Sequence, residues 1–135
     1  MPVTWEIRSQ VLIVTLVGDY SFDEPVLAVN EAIADSGCQT GTSLLIDARF
    51  SKTSRSSEDF RERAKWLASL QDKGLSSRCA VVIGPEPHQF GMARMAATHH
   101  GLQGLDMEIF TDMGEALRWL SKTSSHNSGA TSSQP

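Results

Sequence analysis

Arg78-Cys79-Ala80-Val81-Val82-Ile83-Gly84-Pro85-Glu86-Pro87-His88-Gln89-Phe90-Gly91 is the stretch whose reading decides the fold. Cys79 to Ile83 is continuously apolar, which suits a strand buried on both faces, as parallel strands are. Gly84-Pro85-Glu86-Pro87 ends it, because proline has no N–H to give to a ladder. Met92, Met95 and Ala96 then recur at helical spacing as far as Gly101. A central strand whose carboxyl end opens onto a helix N-terminus is the usual place for a site in an open α/β sheet.

The residues before this stretch extend the same pattern. Val3, Trp5 and Ile7 alternate with Thr4, Glu6 and Arg8, and after Ser9-Gln10 the run Val11 to Val17 reads as the second strand of an antiparallel hairpin. Ser21-Phe22-Asp23-Glu24 has the S-x-x-E form of a capping box, with Asp23 as an alternative start, and Val26, Val29 and Ile33 follow at helical spacing. Ser43 to Asp47 is a short apolar strand ending in a carboxylate, followed by a Ser-rich and basic loop, ARFSKTSRSS. Ser56, with Asp59, caps a helix whose apolar face carries Phe60, Ala64, Leu67 and Leu70. Arg61, Arg63 and Lys65, interleaved with acids on that helix, read as its solvated face.

After the central strand and its helix, Met107, Ile109 and Phe110 form an edge-like strand. Asp112 with Glu115 then caps a last helix with Met113, Ala116, Leu117 and Leu120 facing inward. Past Lys122 the sequence TSSHNSGATSSQP has too little apolar surface to offset its ordering entropy. The expectation is a domain over 1–122 and a flexible Ser-rich tail over 123–135.

The order β-β-α-β-α-β-α-β-α predicts an α/β fold: one mixed, mostly parallel five-stranded sheet with four helices mainly on one side. If all four follow same-handed crossovers they stack on one face, and the other face has no helical layer. Leu44 to Ile46 and Ala80 to Ile83 are apolar on both faces, so a bare face there would favour a homodimer or a protein partner.

Composition narrows the function classes. A chain of 135 residues can bury a core without disulfides or metal. Its net charge of -4 and lack of a basic run give no electrostatic footprint for nucleic acid or an anionic membrane. Its apolar runs are too short to span a bilayer. MPVTWEIRSQ has no secretory pattern, and Cys38 and Cys79 lack C-x-x-C spacing. A cytoplasmic location with reduced thiols is expected.

Ile109-Phe110-Thr111-Asp112-Met113-Gly114-Glu115-Ala116-Leu117-Arg118-Trp119-Leu120, preceded by Phe90-Gly91-Met92-Ala93-Arg94-Met95, resembles the SpoIIAA-like branch of the STAS superfamily. The resemblance extends from about Val3 to Leu120. It implies a non-enzymatic regulatory module that acts through protein contacts or a small ligand. In the anti-sigma-factor antagonists of that superfamily a strand ends in Asp, and a serine at the next helix N-terminus is phosphorylated. Asp47 and the pair Ser56 and Ser57 stand at the corresponding places, with Arg55 where those proteins usually carry Asp and Glu58 where they carry Gly.

The candidate sites follow from these positions. Ser56 and Ser57 are the phosphorylation candidates, since a phosphate at a helix N-terminus would meet unpaired N–H groups and Arg55; a plain helix cap is the alternative. Asp47, Arg55, His88, Gln89 and Arg94 are candidates for a small anionic ligand at the carboxyl edge of the sheet. His99 and His100 point about 100° apart on a helix and do not suit a shared metal. Nucleophile-elbow, P-loop and dinucleotide motifs are absent from the sequence, and no cofactor is expected.

Two alternatives remain open. A carrier of an apolar or anionic molecule would need a pocket between the second and third helices near Phe60, Trp66, Met92 and Met95. An enzyme would need Asp47 or His88 to converge with a second titratable group. Trp5, Trp66 and Trp119 would point to an interface if partly exposed.

Overall fold

The structure is a computed structural model that describes residues 3–21, 23–35, 38–52, 57–85, 87–102 and 106–126. Its elements are β1 (Val3–Arg8), β2 (Val11–Gly18), α1 (Asp23–Ile33), β3 (Ser43–Ser51), α2 (Ser57–Ser69) with a 3-10 turn over Leu70–Lys73, β4 (Arg78–Val82), α3 (Pro87–Leu102), β5 (Asp106–Phe110) and α4 (Met113–His126). The strands lie side by side in the order β1-β2-β3-β4-β5. β1 is antiparallel to β2, and the remaining neighbours are parallel. The predicted α/β architecture is thus the observed one.

A two-residue turn closes the hairpin, with Ser9 at φ 50° and Gln10 at φ 63°. Two left-handed residues match the right-handed twist of the flanking strands, though neither is the glycine or asparagine that this turn favours. The turn is held from outside: the Gln10 carbonyl accepts the Ser43 N–H at 3.0 Å, and the Gln10 and Gln39 side-chain amides bond at 2.9 Å.

Side-chain alternation along each strand sorts the core into two layers. Leu12, Val14, Leu16, Leu44, Cys79 and Val81 face α1, α2 and α3, packing with Val29, Ala32, Leu67 and Ala93. Val11, Ile13, Leu45, Ala80 and Val82 face the other way, under Ala116 and Leu120 of α4. Three helices therefore share one side, as expected, but the opposite side is not bare. α1, α2 and α3 each join adjacent parallel strands, so crossover handedness fixes their side. α4 follows the last strand, connects to no further one, and covers the apolar face that the crossovers leave.

Two boundaries also differ from expectation. Ala48 to Ser51, read as loop, continues β3, because Phe50 and Ser51 pair with Val17 and Gly18 of β2 after a register shift. Bulges of this kind bend a strand and re-aim its side chains. α4 runs to His126 rather than ending near Lys122.

The helix starts agree with their sequence signals. Ser21 N–H donates to the Glu24 carboxylate at 3.0 Å, the glutamate arm of a capping box. Asp112 Oδ2 accepts the Glu115 N–H at 2.9 Å, and the Asp112 carbonyl accepts the Ala116 N–H at 3.2 Å. Asp112→Ala is expected to lower stability by about 1 kcal/mol, and Asp112→Ser to restore most of it. A urea midpoint left unchanged by the alanine variant would show that the cap contributes nothing.

Candidate functional site at the carboxyl edge of the sheet

β2 to β5 all end at one edge of the sheet, which gathers Val17 and Gly18, Asp47 to Ser51, Gly84 and Asp112. Asp47 is buried at 3% exposure. Its Oδ1 accepts from Arg49 Nε at 2.9 Å and from the Arg49 backbone N–H at 3.2 Å, and its Oδ2 accepts from Arg49 Nη2 at 2.8 Å. This two-pronged pairing is the geometry in which arginine and carboxylate bind best. Hydrogen bonding of its guanidinium to Asp47 raises the Arg49 pKa above its ordinary value; partial burial opposes this, while the charges of Asp47 and Asp112 reinforce it.

Asp47 is thus engaged with its neighbour two residues on, and its chemical role is to fix Arg49. The Arg49 guanidinium in turn lies 5.2 Å from the centre of the Phe50 ring, within cation–π range. Phe50 is 54% exposed and Val17 is 48% exposed, and the two are register partners across β2 and β3. Arg49 is not among the sequence candidates, although Asp-x-Arg on a strand places both side chains on one face. Reading Ala48 to Ser51 as loop concealed that spacing.

Of the other candidates, Arg94 has a described side chain. Arg94 is exposed on α3, about two turns beyond Pro87 and so roughly 10 Å along the axis from the helix start. His88 and Gln89 belong to the first turn of α3, but their side chains lie outside the described residues. Ser57 opens α2, with its side chain likewise outside them. Arg55 and Ser56 lie outside the described residues altogether. Among the described residues no group of three His, Cys, Asp or Glu side chains could hold a metal ion.

Among the described residues an apolar cleft lies between α1 and α2. Val14, Leu16, Leu44 and Ile46 form its floor, with Val29, Arg63 and Trp66 on its walls. Met95 is 36% exposed instead, and the side chains of Phe60 and Met92 lie outside the described residues. Arg63, read as part of a solvated face, is buried at 8% exposure, whereas Arg61 and Lys65 are exposed as expected. Its position explains the difference: Leu67 is four residues on and Leu70 seven, so Arg63 belongs to the apolar stripe.

The tryptophans are all half-buried. Trp5 Nε1–H donates to Glu31 at 2.9 Å, tying β1 to α1. Trp119 packs tilted on Phe110 at 5.8 Å and lies 5.5 Å from the guanidinium of Arg78, which also pairs with Asp106 at 2.7 Å. That cluster fastens α4 to the β5 edge.

Cys79 faces the helical layer at 3% exposure. Burial pushes its thiol pKa up from 9.0 to about 12, and the charge of Arg63 offsets this only in part. The folded state therefore holds the thiol proton more tightly than the unfolded state does. Stability from this group is complete below pH 9 and falls as pH rises toward 12. At pH 8 an aromatic disulfide reagent is expected to label half-buried Cys38 and to reach Cys79 only after denaturation. Two equivalents reacting at the same fast native rate would contradict this.

No model of a known protein family matches the chain, and no curated protein matches it. Among solved structures it is similar to an uncharacterised protein of the DUF3478 family with a SpoIIAA-like fold, from Shewanella loihica PV-4. The TM-score is 0.54 at 18% identity, over 87% of this chain and 91% of that one. The chain therefore has a SpoIIAA-like α/β fold. No described helix is long and apolar enough to cross a membrane.

Proposed function

We propose that the protein is a non-enzymatic regulatory binding module that docks a protein partner through the carboxyl edge of β2 and β3. The observation that carries this reading is the exposed pair Val17 and Phe50, with Arg49 held over the Phe50 ring by buried Asp47. An exposed aromatic beside a pre-positioned arginine has the composition of an interface hot spot. The ion pair also favours a non-catalytic role, because Asp47, the carboxylate buried at this edge among the described residues, is committed to Arg49. A phosphate on Ser56 or Ser57, where the superfamily resemblance puts its switch, would add charge at the N-terminus of α2.

The test compares proteins retained by the wild-type chain with those retained by Val17→Ser/Phe50→Ala, followed by reconstitution from purified components. A partner whose affinity falls at least about tenfold in the double variant supports the reading. A purified partner that binds both forms equally would overturn it. Intact mass of the protein from its native cells reports phosphorylation on the same sample.

A further inference from the structure

We infer that the outer edge of β1 is a self-association surface, where a second copy of this chain adds its own β1 as an antiparallel strand about a two-fold axis at Ile7. β1 ends the sheet on its side and has no neighbour beyond it among the described residues. The two-residue turn makes Arg8 and Val11 a hydrogen-bonded pair, and bonding then alternates back along the hairpin. Thr4, Glu6 and Arg8 thus turn their main-chain groups to β2, while Val3, Trp5 and Ile7 turn theirs outward. The β1–β2 register is unbroken from Val3 to Arg8, so no bulge twists this edge away from a partner strand.

Charge selects the strand that fits this edge. Glu6 and Arg8 occupy alternate positions on one face of β1, are each more than half exposed, and pair with each other. Antiparallel pairing of two β1 strands at Ile7 sets Glu6 of each copy opposite Arg8 of the other, in the non-hydrogen-bonded positions where side chains come closest. Two cross-strand ion pairs then form, and the two Ile7 residues exchange both main-chain bonds. A surface that complements itself in this way is what a two-fold dimer requires. The far end of the sheet is the contrast: β5 carries Asp106 and Glu108 at the same spacing, both exposed, so a second β5 would set acid against acid. Because the β1 pairs are exposed and the ladder is short, the dimer is weak and concentration-dependent. Ile7 partners Leu12 near the amino end of β2, whereas Val17 partners Phe50 at its carboxyl end, so this surface and the docking edge stand or fall separately.

Sedimentation of the full chain at concentrations up to about 1 mM tests this, with backbone amide NMR shifts locating the contact. The expected result is a concentration-dependent dimer whose shifts centre on Trp5 to Arg8. Arg8→Glu and Glu6→Arg, each of which turns both cross-strand pairs into like charges, should weaken it at least about tenfold. Mixed in equal amounts, the two variants should associate at least as tightly as the wild-type chain, since each acid then meets a base of the other chain. The exchanged Glu6→Arg/Arg8→Glu chain should dimerise as the wild type does. Ile7→Pro, which removes an outward N–H and leaves the ladder to β2 intact, should abolish the dimer. A chain that stays monomeric throughout, a dimer unchanged by Arg8→Glu, single variants that do not pair with each other, or shifts centred on Val17 and Phe50 would each overturn the inference. If Ile7→Pro does not fold, the charge exchange decides alone.

Discussion

Leu120→Ala is expected to destabilise the protein by about 3–4 kcal/mol, since it removes a fully buried side chain at a site that cannot easily collapse. Leu120 is 1% exposed and packs with Leu45, Ala80 and Val82. Those strand residues face α4 and no crossover helix, so loosening α4 uncovers the whole second core layer. Urea denaturation gives the magnitude, and amide exchange gives the location. Protection should fall first in α4 and then on that face of β3 and β4. Leu27→Ala, at a residue 67% exposed on α1, is the matched control and should change stability by less than about 0.5 kcal/mol. Similar losses in the two variants would mean that α4 contributes little to the fold.

The second large effect is expected at the carboxyl edge. Arg49→Met leaves the Asp47 carboxylate buried with only the backbone N–H of residue 49 from the present arrangement. Breaking a fully buried pair costs about 3–5 kcal/mol; with the Arg49 side chain 35% exposed, about 2–3 kcal/mol is expected. The double variant Asp47→Leu/Arg49→Met should recover most of this, because both charges leave together. A denaturant-based double-mutant cycle measures the coupling. Additive losses would show that the pair does not act as a unit. The double variant would also separate the fold from the proposed docking role, for it keeps Phe50 but removes the guanidinium that lies over it.

Local chemistry made much of this legible beforehand. Proline and glycine punctuation around Cys79 to Ile83, alternation in Val3 to Ile7, and the Ser21 and Asp112 caps before Glu24 and Glu115 each act within a few residues, so their effects can be read in one dimension. The helical side of α4 that turns inward was equally plain from Met113, Ala116, Leu117 and Leu120. Its side of the sheet was not, because an amphipathic stripe seeks any apolar face and only the completed crossovers leave one bare.

The same division holds at the candidate sites. Arg63 sits in register with Leu67 and Leu70, yet its charge suggested solvent; burial came from the α1–α2 cleft closing over it. Ala48 to Ser51 has the composition of a loop, and it became strand because β2 offered Val17 and Gly18 as partners. The sequence by itself determined the elements, their order and their caps, since these depend on neighbours three or four residues away. Only the tertiary structure decided that Asp47 would be committed to Arg49, that Val17 and Phe50 would meet in the open, and that Arg63 would face an apolar cleft. Those outcomes depend on strand register and layer assignment, which are set by residues distant along the chain.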